Sequence, residues 1–124
     1  LIKVTNHLFL IGRILIGIYF LLPGIAKIFL FSANLDIVIL KEVPFPALSL
    51  SIVAAAQIIL GSLIIVGKHL KISSIGLVVT TLLINFYIHD FWNLNGDPNQ
   101  AHEVQNFIKN LGILAGLLIL SKEK

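Results

Sequence analysis

Residues 47–66 read ALSLSIVAAAQIILGSLIIV, 20 positions without one charged side chain, followed by Gly67-Lys68-His69-Leu70-Lys71. As a helix such a run rises about 30 Å, which is the thickness of the hydrocarbon core of a bilayer. A second run, 70–89, begins at once, so the basic turn between them makes the two helices antiparallel neighbours. Working outward, 8–31 is a third stretch, interrupted by Arg13, Lys27 and the pair Pro23-Gly24. The fourth, 104–120, is the shortest in oil, because its unbroken apolar run starts only after Asn110.

The rest of the composition agrees. The chain has 124 residues, 57% hydrophobic and 12% charged, with a mean hydropathy of +0.99. Soluble domains carry roughly twice that share of charge, and small ones bury only about two-thirds of the surface they could expose. An ordinary soluble domain is excluded, and so is disorder. Four spans consume about two-thirds of the chain, so the reading is a single all-α domain over 1–124, an integral membrane four-helix bundle. The absence of cysteine excludes disulfides, thiol chemistry, iron–sulfur clusters and zinc–thiolate sites carried by this chain alone.

Charge sets the expected orientation. If all four stretches cross, Lys3, Lys68, Lys71, Lys122 and Lys124 share one side, and Asp36, Glu42, Asp90, Asp97 and Glu103 share the other. Lys41 lies with the acids, and Lys27 and Lys109 lie at the margin. Basic residues collect on the cytoplasmic face, so both termini are expected to be cytoplasmic. The net charge of +3 then reflects topology rather than nucleic-acid binding. Residues 1–26 are read as part of a span and not as a cleaved signal peptide, because the apolar stretch exceeds a signal core and shows no A-x-A site before Lys27.

The loops carry further signals. Asn34 is placed as the N-cap of a short interfacial helix within 32–46, after which Pro44 and Pro46 reset the chain. The opposite connection on the same side, 90–103, is polar and carries the turn Asn95-Gly-Asp-Pro98.

Residues three and four apart share a helix face. One face gathers Arg13, Gly17, Phe20, Gly24 and Lys27; the next, Ser51, Ala54, Gln57 and Gly61. The third gathers Ser74, Thr81, Asn85 and His89, and the fourth Glu103, Asn106 and Asn110. Lipid cannot satisfy polar groups, so these stripes are expected to face one another in a polar seam. Packing alone accounts for small residues and for isolated Asn, Gln or Thr. Ionisable groups inside spans cost more and point to function.

Arg13 and Lys27 lie ~21 Å apart along one helix, too far to serve a single small headgroup. Arg13 is within reach of phosphates at the cytoplasmic interface, and Lys27 of neutralisation by Asp36, Asp90 or Glu103. The candidate binding residues are therefore Arg13, Lys27, Gln57, Asn85, His89 and Asn110. His89, Asp90, His102 and Glu103 form two His–acid dipeptides on one side, a weak metal signal because no fixed helical spacing joins them. Phe86, Tyr87, Phe91 and Trp92 read as an interfacial aromatic belt. Gly112-Ile-Leu-Ala-Gly116 is a GxxxG motif turned by roughly 120° from the Asn face, which offers Gly112 and Gly116 to another subunit.

The segment Gly12-Arg13-Ile-Leu-Ile-Gly17-Ile-Tyr-Phe-Leu-Leu-Pro-Gly24-Ile-Ala-Lys27 resembles the first helix of the DoxX family. The same resemblance runs through Val43-Pro-Phe-Pro46, Gln57-Ile-Ile-Leu-Gly61 to Gly67-Lys68, His89-Asp-Phe-Trp92, and Gln105-Asn-Phe-Ile-Lys-Asn110-Leu-Gly112. Many members have Glu where this chain has Gln57, so the seam here lacks an ionisable group. The resemblance implies a bacterial inner-membrane protein of four spans, related to the small subunit of archaeal thiosulfate:quinone oxidoreductase, and it transfers no catalytic residues. The expected role is an auxiliary subunit of a quinone-linked membrane redox complex, with quinone as the candidate ligand and no cofactor bound by this chain alone. The alternative is a small oligomeric permease or ion-conducting bundle. An independent quinone-reducing enzyme fits least, since electrons would have to arrive from a partner.

Overall fold

The computed structural model describes residues 2–124. Its helices are α1 (Ile2–Phe29), α2 (Phe31–Leu40), α3 (Pro46–Val66), α4 (Leu70–Tyr87) and α5 (Gln100–Leu120), with one 3₁₀ turn at Phe91–Asn93. Four of them, all but the ten-residue α2, are long and apolar enough to cross a membrane. α1 lies along α3, α3 along α4 and α4 along α5, while α5 and α1 meet only sparsely. The chain is an up-down-up-down bundle in which α2 roofs one end. The tight α3–α4 turn marks the other.

Burial is inverted relative to a soluble protein. Gln57, Ser73, Ser74, Thr80, Thr81, Asn85 and Asn110 are buried, while Leu8, Leu15, Leu22, Ile52, Ile59, Ile72 and Ile119 are exposed. Such a surface is stable only where the surroundings are as apolar as the side chains, because nothing in lipid rewards a polar exterior. The four helices are thus membrane spans, and the polar stripes do turn inward. Ser51 is the exception. It is exposed, and its hydroxyl donates to the Ala47 carbonyl of its own helix at 2.8 Å.

Glycine sets how closely α1 and α3 approach. A Cβ added to Gly17 would lie 2.8 Å from the Gly61 carbonyl oxygen, and one added to Gly24 would lie 3.0 Å from Gln57 Cβ. Backbone therefore meets backbone along this pair, seven residues apart on α1, as small residues permit in membrane bundles. Toward the turn end the space is filled with oil. Phe20, Ile64, Leu70, Leu77, Leu117 and Leu120 form a buried cluster there.

Helix ends depart from the hydropathy reading where the chain is helical but polar. α1 begins by Ile2 and α5 by Gln100, six and four residues before the oily stretches, and α4 stops at Tyr87 rather than residue 89. Asn34 is no N-cap. α2 starts at Phe31, with Leu30 preceding it, and the Asn34 amide donates back to the Leu30 carbonyl at 2.9 Å. α3 opens with Pro46 in its first turn after a left-handed Phe45. It closes on Gly67 at φ 80°, where Lys68 N–H bonds the Leu63 carbonyl at 3.0 Å and Gly67 N–H that of Ile64 at 3.2 Å. This is a Schellman stop, which requires the left-handed residue that glycine supplies. The aromatic belt is partly a cluster: Phe86, Phe91 and Trp92 close edge-on around Phe107, at 6.0, 5.3 and 5.9 Å, and fix the α4–α5 corner.

Candidate functional site

The polar groups gather at the α2 end. Tyr19 on α1 donates its hydroxyl to Asn110 Oδ1 at 2.7 Å, and Asn110 Nδ2 donates to Asn85 Oδ1 at 2.8 Å. Asn85 Nδ2 in turn donates to the Phe107 carbonyl at 3.2 Å. This chain of bonds ties α1, α4 and α5 together, with each amide spending its donor and its acceptor on the next group. Interhelical bonds of this kind contribute about 0.6–2 kcal/mol each in a membrane.

Beside the chain lies a cavity of about 270 Å³ whose walls include Tyr19, Lys27, Gln57, Thr81, His89, Asn106, Lys109 and Asn110. A second cavity of about 450 Å³ sits under α2, lined mainly by Ile37, Val38, Val43, Leu50, Val53, Leu83 and Ile88. Lys27, Ile84 and His89 belong to both walls. One chamber is polar, the other apolar, and they meet at a lysine and a histidine.

Several polar groups in the first chamber have no partner. Gln57 Oε1 and Thr81 Oγ1 are buried without a hydrogen bond. Among the described residues the ion pairs are Lys41–Asp90 at 2.7 Å and His89–Glu103 at 2.6 Å. Lys27 is in neither. The carboxylates expected to neutralise it are spent on other residues, and Asp36 is exposed on α2. Lys27 does sit in the last turn of α1, where the helix dipole favours a cation by about 0.3–1 kcal/mol.

The sequence candidates divide accordingly. Lys27, Gln57, His89 and Asn110 share the polar chamber, and Asn85 stands behind it, bonded to Asn110. Arg13 is at the turn end. Its Nη2 donates to the Ile65 carbonyl at 3.1 Å, and its guanidinium lies where a side chain on Gly67 would stand. It holds a carbonyl in the last turn of α3 and so links two helices, while its Nε is buried without a partner. The weak metal set is divided as well. His89 pairs with Glu103, Asp90 with Lys41, and His102 is exposed; no three such groups come together among the described residues.

Gly112 and Gly116 do not form one outward face. Gly112 has open space around it, whereas a Cβ on Gly116 would touch Ile16 of α1 at 3.4 Å. Sequence reasoning missed Tyr19, which lies one residue before Phe20 of the α1 stripe, and it placed Lys109 only as a topological marker. The signal for Tyr19 was a hydroxyl in mid-span, where a polar atom needs a partner.

The sequence model of the DoxX family matches residues 8–90 of the chain. The protein belongs to the DoxX family. Among its relatives, the inner membrane protein YphA of Escherichia coli (strain K12) is 25% identical over 114 residues, covering 92% of this chain and 81% of that protein. No solved structure matches. The DoxX match takes in α1 to α4, with Tyr19, Lys27, Gln57, Thr81 and His89. The α5 wall, Asn106, Lys109 and Asn110, lies beyond it and completes the chamber.

Proposed function

We propose that this DoxX-family protein is a non-catalytic subunit of the bacterial inner membrane, with both termini cytoplasmic. In this reading it holds an amphipathic molecule of the quinone class for a membrane redox complex. The single observation that carries it is the pairing of a polar chamber with an apolar one at Lys27 and His89. Gln57 and Thr81, whose amide oxygen and hydroxyl find no partner in the bundle, offer amide and hydroxyl groups to ring oxygens, and the space under α2 suits an isoprenoid or alkyl tail. Together the chambers fall within the roughly 300–1,000 Å³ of small-molecule sites. The five lysines at the turn end support the orientation, and the name of the YphA relative supports the membrane.

The permease reading draws less support. Below the chamber the buried cluster of Phe20, Ile64, Leu77 and Leu117 fills the axis, so a path through one chain would have to open its core. The test is purification from the native membrane in mild detergent, with subunit composition, absorption spectrum and extracted quinone recorded together. Co-purifying redox subunits with quinone are expected. Recovery only as a lone homo-oligomer free of quinone would overturn the proposal. Reporter fusions after Lys68 and Lys124 are expected to report the same, cytoplasmic side.

A further inference from the structure

We infer that the paired chambers form a site for a single-chain anionic amphiphile, with the anionic head at Lys27 and Lys109 and the chain beneath α2. The inference shares the cavity with the reading above but goes beyond it, since it needs neither a redox partner nor a quinone.

Three observations converge. First, the polar chamber is lined by two lysines and no carboxylate. Every carboxylate at this end of the bundle is spent elsewhere or exposed: Glu103 on His89, Asp90 on Lys41, Asp97 on the Asn99 N–H, Asp36 and Glu42 on the surface. Within the chamber the charge is therefore unbalanced and positive: Lys109 is exposed at its edge, and Lys27 is half-buried, where opposite charges attract more strongly than in water. Second, Thr81 Oγ1 and Gln57 Oε1 are buried there without partners. A hydroxyl can donate to an anionic oxygen, and an amide can present either its nitrogen or its oxygen to the same space. A carboxylate has room for several such donors, and charge-assisted bonds are the strong ones. Third, Lys27 also walls the larger chamber, which is otherwise mostly apolar. A free inorganic anion has no use for that space. An alkyl chain leaving a head at Lys27 would fill it.

The charge argument separates this class from neutral lipids. An alcohol of the same length would bury the same chain but leave the half-buried Lys27 ammonium without a counter-ion. A small anion would meet the lysines but leave the apolar chamber unfilled.

The test uses the full chain in phosphatidylcholine nanodiscs, with palmitate, hexadecanol, acetate and inorganic phosphate as probes. Palmitate is expected to bind saturably at one per chain, at least tenfold more tightly than hexadecanol. Lys27→Gln is expected to weaken palmitate at least tenfold and leave hexadecanol unchanged, with Lys27→Arg retaining most of the affinity. Equal binding of palmitate and hexadecanol overturns the proposal, and so does an affinity indifferent to Lys27→Gln. Displacement of palmitate by millimolar acetate or phosphate would also overturn it, by assigning the lysines to a free anion. Should Lys27→Gln fail to fold, the palmitate–hexadecanol comparison on the unaltered chain decides alone. Because no electron donor is present, failure here leaves the redox-subunit reading standing, and failure of co-purification leaves this one standing.

Discussion

The two ends of the bundle are built from the same helices but balance their polar groups differently. At the turn end, Arg13 meets a carbonyl that the α3 stop leaves free, and the axis is packed with Phe20, Ile64, Leu77 and Leu117. Ser73 and Ser74 are fully buried there with hydroxyls that make no hydrogen bond, yet they carry no charge and line neither of the two chambers. At the α2 end, buried polar groups outnumber their partners, and the half-buried Lys27 stands without an ion pair beside open space. The difference teaches where to look for a ligand in a membrane bundle. Buried polarity alone is packing, whereas unpaired charge beside a cavity is a site.

Substitutions at the turn end are expected to cost stability and spare binding, and substitution of Lys27 itself to do the reverse. The largest loss is expected for Leu77→Ala, about 2–5 kcal/mol for a fully buried leucine that leaves a cavity, read by thermal unfolding in detergent. Palmitate binding by the folded fraction should be unaltered, and a parallel loss of binding would erase the distinction between the ends. Gly17→Ala comes next, at about 1–3 kcal/mol, because its methyl meets the Gly61 carbonyl and Ile65 and forces the α1–α3 pair apart. Asn110→Ala breaks the chain that crosses from Tyr19 to Asn85. It is expected to lower stability by about 0.6–2 kcal/mol and to loosen both partners, seen as faster hydrogen exchange at the α2 end. The smallest effect on stability is expected for Lys27→Gln, within about 0.5 kcal/mol, since no partner in the bundle is lost. A large destabilisation there would show that Lys27 holds the fold together and would sharpen the comparison against a binding role.

Much of this was legible from residue order. Hydropathy located all four spans, and helical spacing put Lys27, Gln57, Thr81, Asn85, His89 and Asn110 on inward faces. The errors are instructive. Oily stretches underestimated α1 and α5 because helix formation does not stop where oil does: residues 3–7 and 100–103 are mostly polar and still helical. Asn34 looked like a cap because the preference of asparagine for helix ends is strong. The backbone turned one residue after α1, and the amide found the Leu30 carbonyl instead. Ser51 shares the spacing of the seam but not its direction, since a hydroxyl can be satisfied by its own helix.

Residue order by itself determined that this chain is a membrane bundle of four crossings with wettable inner faces, because the energetic penalty of polar atoms in hydrocarbon acts on each segment separately. Which charges pair was decided only by the assembled helices. Lys41, the first residue after the short α2 roof, reached Asp90, and Glu103 reached His89; Lys27 was left facing a cavity. Ion pairing depends on distances of a few ångströms between different helices, and no spacing within one helix encodes them.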